Sequence, residues 1–379
     1  MKQIFLLLAA FVVAACTQPT PQQAPEPISD IPLGENQETA ISNLMETHKA
    51  PSLAIGIIKN GVLTGTRYFG EQAPGVPLSA QSMFNTASVH KAITAETVIR
   101  LVEKGLINLD EPLSPHYVHP DIAADPRHEK LTPRIVLTHK TGFRNWPYEY
   151  DDGKLAFDND PGEAYGYSGI GFMILARAIE AKLEKPWPQI VREEIYNPLG
   201  MVEATTIQEP WMAGNYVIPV DEKGAFKTDF ELAYGYWNAA DDLYITVKDM
   251  AKFLIAVLKN QGISDALAAE RIRVQSDLTN NPIWGCDGVV DPCPAPYGHG
   301  LGWFVFGYDG NINVQHGGND RSEAAIAYIE LQTGDGAIVF VNSPQGVLLW
   351  PKVVEIVDEQ QQFTPVFNHI IAKFLTPEE

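Results

Sequence analysis

A serine and a lysine lie three residues apart at the start of an amphipathic stretch, within residues 85–91. Apolar residues recur at helical spacing through Val102, and Gly105 indicates where the helix ends. Because residues i and i+3 share a helix face, Lys91 can reach the Ser88 hydroxyl. A partly desolvated lysine near the positive end of a helix can act as the base that a serine nucleophile needs. Ser88 and Lys91 are therefore a candidate catalytic pair, although a capping serine beside a solvated lysine gives the same pattern.

A tyrosine precedes a second predicted helix, whose apolar face is formed by Phe172, Leu175, Ala176 and Ile179. A tyrosine at such a loop-to-helix junction can direct its hydroxyl into a cleft. Near a lysine, Tyr167 could act first as a phenolate base and later as an acid. The alternative is a half-buried core tyrosine.

A third segment, residues 313–319, is predicted as an edge strand that ends in His-Gly-Gly. Gly317 and Gly318 leave a backbone without side chains, against which a substrate can lie and whose N–H groups stay accessible. A glycine turn between two strands is the alternative.

The elements around these segments predict an α+β fold. A helix near residues 37–48 precedes two β-rich runs joined by Asn60-Gly61, which indicate a hairpin. A long, mostly helical middle follows. The remaining predicted strands lie at residues 302–307, 311–315, 324–331 and 337–342, and the closing helices near 348–360 and 365–374. This order predicts one antiparallel sheet formed by both chain ends, flanked by helices and carrying a mostly helical inserted lobe.

The N-terminus carries export signals. Residues 1–15 predict a signal peptide, because their apolar run is too short to span a bilayer. Residues 13–15 before Cys16 resemble the lipobox of bacterial lipoproteins, which implies cleavage there and lipidation of Cys16. An ordinary cleaved signal with an incidental cysteine is the alternative. Residues 16–33 are proline-rich and predict a lipid-anchored tether. With no aspartate after Cys16, we expect the outer membrane, facing the periplasm of a Gram-negative cell envelope.

The amino-acid composition limits the classes of molecule that the protein is expected to bind. The 379 residues are 45% hydrophobic and 20% charged, which is typical of a globular protein. A formal net charge of −20 with no basic cluster argues against nucleic acid and against electrostatic binding to anionic lipid. In an oxidising periplasm, Cys286 and Cys293 are expected to form a disulfide, and two cysteines are too few for structural zinc.

A group of histidines and a run of aromatic residues give less specific indications of function. The histidines at 116, 119 and 128 could be taken for metal ligands, but Pro115 and Pro120 disrupt a helical spacing, so we predict no metal site. The aromatic run at 146–150 could line a cleft or form a surface loop.

Taken in chain order, the three segments resemble the serine β-lactamase and penicillin-binding protein superfamily, especially its class C-like branch of esterases, D-stereospecific peptidases and β-lactamases. The sequence from Ser88 to Lys91 matches the nucleophile motif, 167–169 falls at Tyr-x-Asn, and 316–318 at Lys-Thr-Gly or His-x-Gly. Further similarities lie at residues 137–142, 197–201, 239–250 and 297–303. Residues 140–142 also read Lys-Thr-Gly, but in the family that position is a structural turn, so we assign it no catalytic role.

The resemblance implies a hydrolase domain at residues 34–379, with an α/β part at 34–87 and 296–379 and a helical lobe at 88–295. It implies acyl transfer: Ser88 attacks a carbonyl, Lys91 and Tyr167 move protons, and water releases the acyl group. The N–H groups of Ser88 and Asn319 are expected to hold the oxyanion. No cofactor and no metal are implied, and the expected partner is a small ester or peptide substrate.

Two departures from the family pattern bear on the substrate. Gly169 replaces an asparagine, which removes polar contacts of about 1 kcal/mol each and predicts a roomier cleft. His316 replaces a lysine and, being mostly neutral at pH 7, is a weaker partner for a carboxylate. Both favour an esterase or D-amino-acid peptidase or amidase over a potent β-lactamase. A catalytically poor acyl-binding or scaffolding lipoprotein is the alternative. For His90 we expect only packing or solvent exposure.

Overall fold

The computed structural model describes residues 29–375. The predicted signal peptide (1–15), Cys16 and residues 17–28 of the tether lie outside the described residues. The end of the tether is folded, because Ser29 and Asp30 pair in parallel with a later strand at Gly65 and Thr66. The folded part therefore begins before Gly34, the predicted boundary.

A ten-stranded sheet forms the centre of the molecule, and a three-stranded sheet lies beside it. In chain order the strands are β1 Ser29–Asp30, β2 Ser52–Lys59, β3 Val62–Ala73, β4 Val76–Pro77, β5 Phe84–Asn85, β6 Ala204–Thr205, β7 Tyr244–Ile245, β8 Ser276–Asp277, β9 Tyr297–His299, β10 Phe304–Tyr308, β11 Asn311–Asn319, β12 Glu323–Glu330 and β13 Gly336–Asn342. The large sheet runs β1-β3-β2-β13-β12-β11-β10-β9-β8, with β4 paired to β3, and the small sheet runs β5-β7-β6. The predicted sheet from both chain ends is confirmed, although β8, from the predicted helical lobe, joins it.

Helices cover both faces of the large sheet. They are α1 Glu35–Thr47, α2 His90–Glu103, α3 Pro133–Leu137, α4 Gly169–Leu183, α5 Trp187–Val191, α6 Asn197–Leu199, α7 Val247–Leu258, α8 Asp265–Ile272, α9 Gly346–Val357 and α10 Thr364–Leu375. A π-helical turn at Arg192–Tyr196 links α5 to α6, and 3₁₀ turns lie at Ala87–Val89, Pro120–Ile122, Pro126–Lys130, Pro147–Glu149 and Pro210–Met212.

The alternation of side chains along β12 separates two hydrophobic cores. Ala325 and Ala327 pack in the core that α2, α4 and α7 share with the sheet. Ile326 and Tyr328 point to the opposite face and pack with α9 and α10. The helices of the lobe and the closing helices therefore meet across one sheet, and the α+β fold is as predicted.

The His-Gly-Gly segment lies within β11, between β10 and β12, and not at the end of an edge strand as predicted. The pairing with β10 stops at Phe304 opposite Gln315, whereas the pairing with β12 continues to Asn319 opposite Ala324. Among the described strands, residues 316–319 are therefore paired on one side only. That leaves a short stretch of open backbone edge.

Candidate active site

Ser88 lies on the 3₁₀ turn that leads directly into α2. The preceding residue, Ala87, has φ 47°, a left-handed conformation that costs a non-glycine residue about 1–3 kcal/mol. Two hydrogen bonds hold the turn in place: Thr86 N–H donates to Leu243 O at 2.9 Å, and Ala87 N–H donates to Asn85 Oδ1 at 3.0 Å. The small sheet, through β5 and β7, thus fixes the position of the nucleophile.

Lys91 is fully buried one turn further along. Its Nζ lies 2.8 Å from Ser88 Oγ and donates to the carbonyl of Ala240, also at 2.8 Å. Burial lowers the pKa of Lys91 to about 7, against an opposing effect of the Asp241 carboxylate. Burial likewise raises the pKa of Asp241, so both groups are driven towards their neutral forms. A neutral Lys91 amine beside Ser88 Oγ can take its proton.

Tyr167 precedes the N-cap of α4, Ser168, whose Oγ accepts from Gly171 N–H at 3.3 Å. Lys91 Nζ lies 4.8 Å from the centroid of the Tyr167 ring. Burial raises the pKa of Tyr167, although the neighbouring Ser88 hydroxyl opposes this. The phenolate considered from the sequence is therefore disfavoured in the free protein. Lys91 is therefore the better candidate base for Ser88, and Tyr167, whose hydroxyl neighbours Ser88, can act as an acid.

His139 holds the segment around Tyr167 in place through two hydrogen bonds and a stacking contact. Its carbonyl accepts from Gly166 N–H at 2.8 Å, and its Nδ1 accepts from Ser168 N–H at 3.1 Å. Its ring stacks on the Tyr167 ring with centroids 4.4 Å apart. This histidine belongs to the turn at 137–142 that the sequence marked as structural, and its contacts agree with that reading.

The His-Gly-Gly segment of β11 passes directly beside the nucleophile turn. A Cβ built on Gly318 would lie 2.1 Å from Thr86 O and 3.0 Å from Ser88 N, so only glycine fits there. A Cβ on Gly317 would meet no atom closer than 3.7 Å. This close approach brings Asn319 to the cavity that Ser88 lines, where the predicted oxyanion donors would face a substrate.

His316 is buried beside Lys91. Burial and the Lys91 charge lower the pKa of His316 to about 3, and its Nδ1 hydrogen bonds with Gly317 O at 2.7 Å. It is therefore neutral at pH 7. The sequence predicted a mostly neutral imidazole from the ordinary pKa of histidine. In the structure, burial of the ring is the main reason that its pKa lies far below that value.

Beside these groups lies a cavity of about 370 Å³. Ser88, Tyr167 and residues 317–319 form one side. Its apolar lining, chiefly from β10, α9 and α10, consists of Trp284, Phe304, Val347, Trp350, Phe367, Ile370 and Ile371. Cys286 and Cys293, the expected pair, form a disulfide in the segment that carries Trp284. The apolar lining of the cavity could not be predicted from the sequence, because an apolar helix face is equally compatible with core packing and with lining a cavity.

The roomier cleft predicted at Gly169 is wrong. A Cβ at this position would lie 2.6 Å from the indole ring of Trp146, so the aromatic side chain fills the space an asparagine would need. The neighbouring Asn145 lines the cavity instead, and its Oδ1 accepts from Gly169 N–H at 2.8 Å. A side-chain amide is therefore present in the cleft, but it comes from a different position.

His90 and the turn at residues 140–142 make contacts that are structural. His90 is fully buried and its Nδ1 hydrogen bonds with the carbonyl of Asp241, which fits the packing alternative. In the 140–142 turn, Gly142 has φ 81° and packs against the backbone of Asn159. Within residues 29–375, no group of three or more His, Cys, Asp or Glu is arranged to hold a metal ion.

Comparison with known proteins agrees with this geometry. Residues 38–352 match the sequence pattern of the β-lactamase family. Penicillin-binding protein 4 of Amycolatopsis lactamdurans is 24% identical over 335 residues, covering 80% of this chain and 83% of that protein. The D-alanyl-D-alanine-carboxypeptidase/endopeptidase AmpH of Escherichia coli K12 is 26% identical over 298 residues, covering 72% and 74% respectively.

The fold is likewise shared. The structure of a class C β-lactamase superposes with a TM-score of 0.69 at 14% identity, covering 86% of this chain and 95% of that one. The family pattern includes the nucleophile turn, Tyr167 and β11, the elements that meet at the cavity. The chain is therefore a serine hydrolase that belongs to the β-lactamase family.

Proposed function

We propose that the protein hydrolyses small esters, or amides of the D-amino-acid and peptidoglycan type, and turns over β-lactams only weakly. The observation that carries the proposal is the 2.8 Å contact between a buried Lys91 Nζ and Ser88 Oγ at the mouth of an apolar cavity. Such a lysine can activate the serine without a further cofactor.

The proposed reaction assigns one step to each group. Ser88 Oγ loses its proton to the Lys91 amine and bonds to the substrate carbonyl carbon. The resulting oxyanion is stabilised by the backbone N–H groups of Ser88 and Asn319, donors of a kind worth about 2.7–4 kcal/mol each. Tyr167 gives its proton to the leaving oxygen or nitrogen and regains one from the Lys91 ammonium, the carbonyl–heteroatom bond breaks, and the acyl ester on Ser88 remains. Water then attacks the ester carbonyl and loses a proton to the neutral Lys91 amine. The bond to Ser88 Oγ breaks as Oγ takes that proton from Lys91, which frees the acid and restores Ser88.

The cavity lining argues against a carboxylate-bearing leaving group. Among the described residues, no lysine or arginine lines the cavity, and His316 is neutral at pH 7. A penicillin carboxylate or a peptide C-terminus would be desolvated against Trp350 and Phe367 without a counter-charge, which is costly. Esters avoid that cost, and so do D-amino-acid or peptidoglycan-type amides whose leaving group carries no carboxylate.

For location we propose a lipid on Cys16 and a site facing the periplasm. The proposal rests on the lipobox-like residues before Cys16 and on the proline-rich segment that follows. Among the described helices, none is both long and apolar enough to cross a bilayer.

Hydrolysis assays on the purified full chain test the enzymatic proposal. We expect p-nitrophenyl acetate and butyrate to be turned over, nitrocefin to be turned over far more slowly, and Ser88→Ala to be inactive on all three. Wild-type rates no higher than those of Ser88→Ala would contradict the proposal and favour an acyl-binding role. Rapid nitrocefin turnover would contradict the preference argued from the uncharged cavity.

A further inference from the structure

The apolar cavity beside Ser88 carries its polar groups at one end only. That catalytic end consists of Ser88, Tyr167, Asn145 and residues 317–319. The other seven described lining residues are all aromatic or aliphatic, and none of the described lining residues is charged. The volume of about 370 Å³ lies in the range of small-molecule sites, roughly 300–1,000 Å³. A substrate group bound there would therefore meet polar atoms only next to the reacting carbonyl.

One face of α10 and one face of α9 form most of the apolar wall. Residues at i, i+3 and i+4 lie on the same face of a helix, and both helices line the cavity with residues at such a spacing. These residues are Phe367, Ile370 and Ile371 on α10, and Val347 and Trp350 on α9. The last helix of the described chain thus takes part in the candidate active site.

Aromatic contacts run from the catalytic tyrosine to α9. The rings of Tyr167 and Trp284 stack with centroids 5.9 Å apart, and the Trp284 ring lies 5.5 Å from that of Phe304. The Phe304 ring lies 5.9 Å from that of Phe367, which lies 5.4 Å from that of Trp350. Because each ring packs against the next, the packing of the protein itself sets the shape of the cavity.

The loop that carries Trp284 is fastened to its surroundings. The disulfide closes this loop, and the Trp284 carbonyl accepts a hydrogen bond from the Tyr297 hydroxyl. Lys373 Nζ, on α10, donates to the Pro282 carbonyl at 2.8 Å. The loop and α10 are therefore held together at the cavity that both of them line.

This lining favours a hydrocarbon group of several carbon atoms. A polar or charged group would lose its hydration against these side chains without gaining a hydrogen bond. A methyl or ethyl group would cover little of the apolar surface, whereas a longer chain or an aromatic ring would remove more of it from water.

The position of Tyr167 indicates which part of the substrate enters the cavity. In the proposed reaction Tyr167 gives its proton to the leaving atom, and Tyr167 lines the apolar cavity. The leaving group therefore lies on the side of this cavity. Resting on the proposed function, we infer that the cavity binds the hydrocarbon part of the leaving alcohol, so that the preferred substrates are esters of apolar alcohols with several carbon atoms.

Two series of isomeric esters test this inference on the wild-type full chain. The alcohol is lengthened in ethyl, butyl and hexyl acetate, and the acyl group is lengthened in ethyl acetate, butyrate and hexanoate. Complete burial of one CH₂ group corresponds to about a fourfold gain in kcat/KM. We expect kcat/KM to rise at least tenfold from ethyl to hexyl acetate, and less than threefold from ethyl acetate to ethyl hexanoate.

Val347→Phe and Ile283→Phe then form a matched pair of variants. Val347 is half-buried and lines the cavity, whereas Ile283 is 45% exposed beside Trp284 and does not line it. Val347→Phe should lower the ratio of kcat/KM for hexyl acetate to that for ethyl acetate at least fivefold, because the added ring occupies part of the cavity. Ile283→Phe should keep that ratio within about twofold.

Equal kcat/KM values for hexyl acetate and its isomer ethyl hexanoate, or equal effects of the two variants, would overturn the inference. Ester hydrolysis that still depends on Ser88 would in that case leave the proposed function standing.

Calorimetry on Ser88→Ala separates the two proposals from the other side. Hexan-1-ol should bind at least fivefold more tightly than butan-1-ol. Such binding to a protein whose wild type hydrolyses none of the esters would support the alcohol-binding cavity and contradict the proposed function. Equal or absent binding of both alcohols would contradict the cavity assignment.

Discussion

The indole ring of Trp146 lies against the backbone of Gly169, so close that a Cβ on residue 169 would come within 2.6 Å of it. The two residues therefore depend on each other. The absence of a side chain at Gly169 leaves room for the indole ring, and the ring fills the volume that a larger side chain at position 169 would occupy. Trp146 in turn lines a second cavity, of about 540 Å³, which is separate from the one that Ser88 lines.

Gly169→Asn should consequently lower stability by about 1–3 kcal/mol, because an overpacked site must move the ring or the helix start. Thermal unfolding measures the loss. Trp146→Ala combined with Gly169→Asn should be less destabilised than the sum of the two single changes. Strict additivity would mean that the ring does not contact residue 169.

The activity should rise with pH through about 7. Lys91 acts as a base only when neutral, and burial lowers its pKa to about 7, so the active form is lost as the pH falls below that value. The measurement is kcat/KM for p-nitrophenyl butyrate between pH 5 and 9, corrected for spontaneous hydrolysis. Lys91→Met should reduce the rate by about 10²–10⁴-fold and remove the inflection. An inflection that persists in Lys91→Met would assign it to another group.

Gly317 and Gly318 should respond differently to the same substitution. Gly318→Ala places a methyl group 2.1 Å from Thr86 O and should push β11 away from the nucleophile turn, with a loss of at least 100-fold in kcat/KM. Gly317→Ala meets nothing closer than 3.7 Å and should keep activity within about threefold, which makes it the matched control. Equal effects would show that β11 does not pass Ser88 as closely as described.

His139 should act on catalysis by positioning Tyr167. His139→Phe keeps a ring that can stack but loses the Nδ1 acceptor for the N–H of Ser168, the N-cap residue of α4. We expect a fall in kcat of about tenfold, the size of one hydrogen bond of about 1–1.5 kcal/mol, with KM nearly unchanged. His139→Ala should lose more, because the 4.4 Å stacking contact also disappears. A change confined to KM would indicate a substrate contact instead.

The sequence could single out the candidate catalytic residues because each lies in a short local motif. Ser88 and Lys91 share a helical turn, so their spacing in the sequence already indicates that their side chains meet. At position 318 only glycine fits beside Thr86, so the residue type itself indicates a close approach of the backbone. The sheet could be predicted for the same reason, since its strands alternate and its first hairpin has a strong turn signal.

The sequence did not reveal contacts made by backbone atoms or by distant segments. The Ala240 carbonyl that binds Lys91 has no side-chain signature, and the apolar pattern of α10 does not indicate that Phe367 faces a cavity. The roomier cleft at Gly169 was wrong because Trp146 comes from a different loop. Asp241 lies about 150 residues from Lys91 in the sequence, and only the fold brings the two side chains close enough to interact.

Active-site labelling tests the central claim, that Lys91 activates Ser88 as the nucleophile, most directly. Full-length protein is treated with a fluorophosphonate, in which Ser88 Oγ would bond to phosphorus and fluoride would leave, and the modified peptide is mapped by mass spectrometry. The account predicts one label per chain, on Ser88, which forms at least 100 times more slowly in Lys91→Met and not at all in Ser88→Ala. A label on another residue, or equal labelling rates in wild type and Lys91→Met, would contradict it.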